Sequence, residues 1–232
     1  MQREPRGSAL HDSLLTALGA AIVSGDYPAG QVITLDSVSA EHGLSRSVAR
    51  EAIRVLESMG MVESRRRVGI TIQPSDQWNV FDPRLIRWRL ASADRATLLR
   101  SLSELRKGFE PAAAALASQR ADPQQCRTMA AAVSDMVVHG RSGDLDSYLV
   151  ADKIFHRTLL EASGNEMFRA LSGVVSEVLS GDVNHGIARA TMNLKAIALH
   201  DEVARAIRLK DDAAAEKAMR AIIEESTMAV DS

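Results

Sequence analysis

The 232-residue chain is 46% hydrophobic and 25% charged, with a net charge of −2, so it can bury a sizeable core, and its charge alone argues against a nucleic-acid partner. Its one cysteine, Cys126, excludes an internal disulfide. No basic start followed by an apolar run marks a secretion signal, and no stretch reaches the roughly 20 apolar residues that cross a bilayer, so a cytoplasmic protein without membrane contact is expected.

Leu10, Leu14, Leu18, Ala21 and Ile22 recur at helical spacing and predict a first helix, stopped by Gly25-Asp26-Tyr27-Pro28-Ala29-Gly30. A short helix from Thr34 to about His42 follows, with Gly43 at the turn. Ser45 is placed to cap a third helix, in which Val48, Ala52, Val55, Leu56 and Met59 share one sector and Arg46, Arg50 and Arg54 lie roughly opposite. Gly60 ends it, and two short strands, 61–64 and 69–72, flank Arg65-Arg66-Arg67. The order is helix, helix, turn, helix, two-stranded wing.

Residues 45–67 hold six arginines against Glu51, Glu57 and Glu63, a local excess of three positive charges in a chain that is acidic overall. A helix whose inner face is anchored and whose outer face is polar can enter the major groove of duplex DNA. Ser45 and Ser47 at the helix start can donate to phosphate, Arg46 and Arg50 can reach guanine edges or the backbone, and Arg66 and Arg67 extend from the hairpin tip. A solvated basic stripe on an ordinary helix is the plainer alternative. The turn, the cap and the basic hairpin together favour double-stranded DNA.

The chain then reads as a linker over 76–93 and a helical domain over 94–232, with residues 1–75 as the DNA-binding domain. Helices are predicted near 94–120, 123–139, 144–163, 165–181, 190–209 and 211–228, broken at Asp122-Pro123, Gly140 to Gly143, Gly164 and Lys210-Asp211. With eight aromatics in all, the core must be Leu, Ala, Val, Ile and Met, which suits a bundle. The fold class is mainly α: a winged helix-turn-helix followed by an all-helical bundle. Within the bundle Asp152 and His156 lie four apart on one helix face, a spacing suited to a shared metal ion, and His200 on a later helix can close the site. A surface pair or a buried hydrogen bond is the alternative. A metal-dependent enzyme built on these three residues is the rival from another class, but the chain has no Ser/His/Asp signature, no glycine-rich phosphate loop and no His-Glu-x-x-His.

Three stretches, "AAIVSGDYPAGQVI", "HGLSRSVAREAIRVLESMGMVE" and "RVGITI", resemble the winged helix-turn-helix of GntR-family bacterial transcription regulators. Where that family often has L-P-S-E-R, this chain has Ile33-Thr34-Leu35-Asp36-Ser37, so an arginine that contacts DNA in some relatives is absent. Residues 95–228 resemble the FCD ligand-binding domain of the family's FadR-type branch. That resemblance implies a divalent metal on Asp152, His156 and His200. The family's last histidine ligand would fall 22 residues after His200, where this chain has Ile222. Three protein ligands leave an open coordination sphere for water or effector oxygens; zinc is the first expectation, and His185 is a candidate replacement ligand.

The same resemblance places Arg106 at the effector cavity, where it would hold a carboxylate, with a salt bridge to Glu110 as its other role. Asn165 is a second effector-site candidate and also a helix cap. "SDQWNVFDPRLIRWRLASAD" and the missing histidine are similar to members that respond to sugar acids such as galactonate or gluconate, in which Trp78, Asn79 and Trp88 would anchor the linker between the domains. The resemblance implies a homodimeric repressor, nucleoid-associated while on its operator and released by a small carboxylate.

Overall fold

A computed structural model of the chain describes residues 6–184 and 194–230. It divides into two compact units, 1–95 and 96–232. Among the described residues no helix is long and apolar enough to cross a membrane.

The first unit contains α1 (Arg6–Ser24), β1 (Val32–Ile33), α2 (Leu35–His42), α3 (Arg46–Ser58), β2 (Val62–Arg65), β3 (Gly69–Ile72), a 3-10 turn at Ser75–Gln77 and α4 (Pro83–Leu90). Leu14, Leu15, Leu18 and Ile22 of α1 are buried against α3 and the sheet. Each such side chain contributes roughly 1.5–3 kcal/mol. Tyr27, in the turn after α1, donates its hydroxyl to Glu41 of α2 at 2.9 Å and so fixes one helix end against another element.

α2 opens with a capping box in which Thr34 and Ser37 satisfy each other's backbone amides, and it closes on Gly43 at φ 63°, a conformation glycine adopts without steric penalty. Ser45 then caps α3 by accepting from the Val48 amide at 3.4 Å. The buried stripe of α3 is Ala49, Ala52, Ile53 and Leu56, followed by Met59. This differs from the sequence expectation, because Val48 and Val55 are only half-buried and Ala49 and Ile53 take the innermost places. The strands form an antiparallel sheet of order β1-β3-β2, with Val32 opposite Thr71 and Val62 opposite Ile72. At two residues, β1 is too short to show the alternation by which a strand is recognised.

The segment expected to be a linker, 76–93, is structured. Asp82 caps α4 with Pro83 at its first turn, and Leu85 and Trp88 join the core of the first unit. Trp78 donates its indole N–H to the Gln73 carbonyl at 3.0 Å, and the Asn79 amide bonds to Met59 O at 2.8 Å. Both tryptophans and Asn79 therefore serve the first unit, whereas the sequence assigned them to an anchor between domains. The Trp88 ring packs against Gly19 of α1.

The second unit consists of α5 (Arg95–Arg120), α6 (Pro123–Ser142), α7 (Leu145–Ala162), α8 (Glu166–Ala170), α9 (Ser172–Asn184), α10 (Leu194–Leu209) and α11 (Asp212–Val230). Phe109, Ala113, Ala117, Met136, Phe155, Leu159, Val203 and Met219 form its core. The single helix expected over 165–181 is broken at Leu171, just before Ser172-Gly173, a pair with weak helix propensity. His185 and residues 190–193 of the helix expected over 190–209 lie outside the described residues.

A Cβ on Gly19 would sit 2.2–2.5 Å from three ring carbons of Trp88. Gly19→Ala should therefore destabilise the first unit by about 1–3 kcal/mol through overpacking, read as a lower denaturation midpoint.

Candidate functional site

Arg46, Arg50 and Arg54 of α3 and Arg65 and Arg66 of the wing line one groove of about 530 Å3, together with Thr34 and Asp36. The apolar stripe described above turns the arginine side of α3 outward. Ser45 and Ser47 stand at the exposed start of the helix with their hydroxyls 2.9 Å apart. The wing turn is closed by the Val68 amide on Arg65 O at 3.1 Å. Arg67 occupies it at φ 69°, a left-handed conformation that is costly for an arginine, and both Arg66 and Arg67 are exposed.

These arginines are not equivalent. Arg54 pairs with Glu51 at 2.8 Å, and Arg65 pairs with Glu63 at 3.0 Å. Arg46, expected on DNA, donates through Nε and Nη2 to the two carboxylate oxygens of Asp36 on α2. Its positive charge is thus shared with an acidic partner that the spacing did not reveal.

In the second unit Asp152 and His156 of α7 meet His200 of α10, and one ligand atom from each lies within 4.8 Å of the others. His200 Nε2 is 3.2 Å and His156 Nε2 3.4 Å from Asp152 Oδ1. Both histidines are buried, and the Asp152 side chain is 13% exposed. The other nitrogen of each ring is already committed. His200 Nδ1 donates to the Ala196 carbonyl at 2.7 Å, and His156 Nδ1 donates to Glu110 Oε2 at 2.6 Å. A carbonyl and a carboxylate can only accept, so both Nδ1 atoms carry protons, and a ring without a second proton presents its Nε2 lone pair to the Asp152 oxygen.

Those three inward atoms are buried and have no hydrogen-bond partner among the described residues. Three acceptors turned on one another repel unless a cation lies between them or a ring takes a second proton. This donor set fits a divalent metal, and the hydrogen bonds to Glu110 and Ala196 hold the rings as outer partners of metal-bound imidazoles do.

Glu110 is completely buried on α5, where it accepts from Arg106 Nε at 2.5 Å as well as from His156. Burial disfavours its charge, but the adjacent Arg106 and His156 outweigh burial and hold the carboxyl down to about 2. Burial likewise disfavours a charged His156, and Glu110 and Asp152 reverse that, raising the ring to about 9. Burial also opposes ionisation of Asp152, yet the adjoining His156 and His200 rings keep it well below the usual carboxylate range.

The two halves of the chain match two known domains. A model of the bacterial regulatory proteins of the gntR family matches residues 10–72, and one of the FCD domain matches residues 101–225. The chain belongs to the GntR family. Over 218 residues it is 28% identical to the galactonate operon transcriptional repressor of Escherichia coli K12, covering 93% of this chain and 94% of that protein. It is 27% identical over 195 residues to the regulator LutR of Bacillus subtilis 168, covering 81% and 86%. A solved GntR structure from Streptococcus agalactiae aligns with a TM-score of 0.52 at 26% identity, over 93% of this chain and 97% of that one. Lar of Listeria monocytogenes reaches 0.63 at 16% identity over 99% and 98%, which is a likeness of fold.

As a GntR regulator with an FCD domain, the protein is a transcription regulator and not an enzyme, which removes the metal-dependent enzyme as an alternative. The effector-site expectations within this GntR chain are modified by the geometry. Arg106 is 2% exposed and committed through Nε to Glu110, the partner its spacing offered. Asn165 caps α8 by accepting from the Met167 amide at 2.9 Å, so its oxygen is engaged in holding the backbone. Ile222 is a buried core residue at 6% exposure, contributing packing where the family pattern has a ligand. The residue that sequence reasoning undervalued is Glu110, although a lone carboxylate in "GFEPAAAALA" was a visible signal.

His156 supplies a pH signature. Its folded value lies above 6.5, so its stabilisation is complete below 6.5 and is lost as pH rises through about 9. Chelator-treated protein should lose roughly 3 kcal/mol of unfolding free energy across that window in urea titrations. With stoichiometric zinc, which requires the neutral ring, the fall should be absent.

Proposed function

We propose that the protein is a homodimeric cytoplasmic repressor that leaves its operator when the second unit takes up a small sugar acid. The observation that carries the sensor reading is the set of three buried, mutually facing acceptors beside an Arg106–Glu110 pair. A divalent ion on Asp152, His156 and His200, zinc by the preference of two imidazoles, would supply an open Lewis-acidic position for carboxylate and hydroxyl oxygens. Arg106 would share its guanidinium between Glu110 and the acid's carboxylate. The repressor of the galactonate operon, 28% identical over most of both chains, supports an aldonate such as galactonate or gluconate as the first class to test, with hexuronates next.

On the DNA side, Ser45, Ser47, Arg46 and Arg50 would meet bases and phosphates in the major groove, and Arg66 and Arg67 would reach the neighbouring backbone. One recognition helix covers few base pairs, so two protomers on a pseudo-palindromic operator, with which the protein would share the nucleoid, supply useful affinity. The effector lowers that affinity by as much as it prefers the arrangement that does not bind DNA.

The wing carries a separate expectation. Arg66→Ala with Arg67→Ala should weaken binding to the upstream region of the neighbouring genes and flatten the slope of log K against log salt by about 2, measured by fluorescence anisotropy at several salt concentrations. Unchanged binding would remove the wing from the interface.

The sensor is tested by a melting screen of galactonate, gluconate and galacturonate with and without chelator, together with metal content by mass spectrometry. A stabilising acid should lose its effect with chelator, in Arg106→Ala and in His156→Ala, and should release the DNA. No response to any aldonate or uronate would overturn the sugar-acid reading while leaving DNA binding intact.

A further inference from the structure

We propose that Asp36 is a positioning residue that sets base specificity by holding Arg46 side-on, so that the free end of its guanidinium reads guanine. This inference rests on the DNA-binding reading above. A guanidinium has five N–H groups in a planar fork. In Arg46 the edge formed by Nε and Nη2 is taken by the two oxygens of Asp36. The edge left over, Nη1–H with the second Nη2–H, is a parallel pair of donors, the pattern that matches O6 and N7 of guanine in the major groove.

The two residues come from separate helices whose starts are fixed independently. The Thr34 and Ser37 capping box sets the first turn of α2, which holds Asp36, and the Ser45 cap sets the first residue of α3, which is Arg46. Their pairing aims Arg46 from the very start of the recognition helix, the end that contacts base edges in helix-turn-helix proteins. Both side chains line the basic groove, and both are well exposed, at 68% for Arg46 and 64% for Asp36.

That exposure argues against a folding role. A solvent-exposed ion pair contributes little to folding stability in water, where both charges are well hydrated. Against DNA, where water is displaced, the same pair holds a flexible arginine in one orientation and lowers the entropy lost on reading a base. The pairing also has an electrostatic consequence. Because Asp36 cancels the charge of Arg46, the pair should release almost no counterions from DNA, unlike Arg66 at the wing tip. Arg46 would thus contribute specificity with little salt dependence.

The test uses the full-length protein and a duplex selected by it from a random library. Each guanine of that site is replaced singly by 7-deazaguanine, which removes N7, and binding is measured at several salt concentrations for wild type, Asp36→Ala, Asp36→Glu and Arg46→Ala. Wild type should lose about tenfold in affinity at one guanine. That penalty should vanish in Arg46→Ala, shrink to about threefold or less in Asp36→Ala, and persist in Asp36→Glu. Asp36→Ala should also steepen the salt slope by up to about 1 as Arg46 becomes a free cation, with an unchanged melting temperature. A penalty of wild-type size in Asp36→Ala, or no penalty at any guanine in wild type, overturns this assignment alone. Failure of the wild type to select any duplex would instead overturn the DNA-binding reading beneath it.

Discussion

One carboxylate, buried to zero exposure in an alanine-rich helix, governs the second unit. Glu110 keeps its charge there because each oxygen has a cationic or proton-bearing partner, Arg106 on one side and His156 on the other. Removing either partner would leave an uncompensated buried charge, a change that costs about 3–5 kcal/mol in comparable settings. The same bond decides which nitrogen of His156 carries a proton. It thereby leaves the opposite lone pair facing Asp152, and the Ala196 carbonyl does the same for His200. Phe155, with its ring centroid 4.9 Å from that of His200 and 5.7 Å from that of His156, walls off one side. The site's chemistry thus follows from hydrogen bonds made outside it.

The first unit works in the opposite dielectric regime. Its arginines around α3 and the wing are exposed, so ion pairs such as Arg54–Glu51 and Arg65–Glu63 add little to folding and are free to rearrange. What is fixed is the backbone beneath them: two caps, one left-handed glycine and a stripe of small and branched apolar residues on α3. A net charge of −2 is therefore compatible with a nucleic-acid surface, because the excess of arginine is confined to one helix and one hairpin.

The fold was legible wherever local signals were redundant. Ser45, Gly43, Asp122-Pro123 and Gly143 mark helix ends through caps and turn chemistry that need no tertiary information, and the bundle helices were placed from such marks except over 165–181, where the break at Leu171 carries none. What the sequence could not convey was pairing across distance. Nothing in the spacing joins Glu110 to His156, 46 residues away, or Asp36 to Arg46 on the next helix. The same limit explains the linker, where Trp88 needs Gly19 as its floor, a contact that a local reading cannot anticipate. Asp152 and His156 were legible as a pair because they lie four apart and helical geometry alone puts both side chains on one face; their approach to His200 is set by the packing of α7 and α10.

Ile222 bears on what a metal would do for this chain. Its buried side chain packs the core with Ile223, Met219 and Val203, none of which is a candidate ligand. The second unit thus has a hydrophobic core independent of coordination, unlike small domains that fold only around zinc. Without a cation, the three inward acceptors incur a desolvation cost of about 1–3 kcal/mol each, eased when His156 takes a second proton. An ion would remove that cost without having to organise the fold. Such a site is suited to sensing, because its occupancy can change while the helices that carry it stay folded.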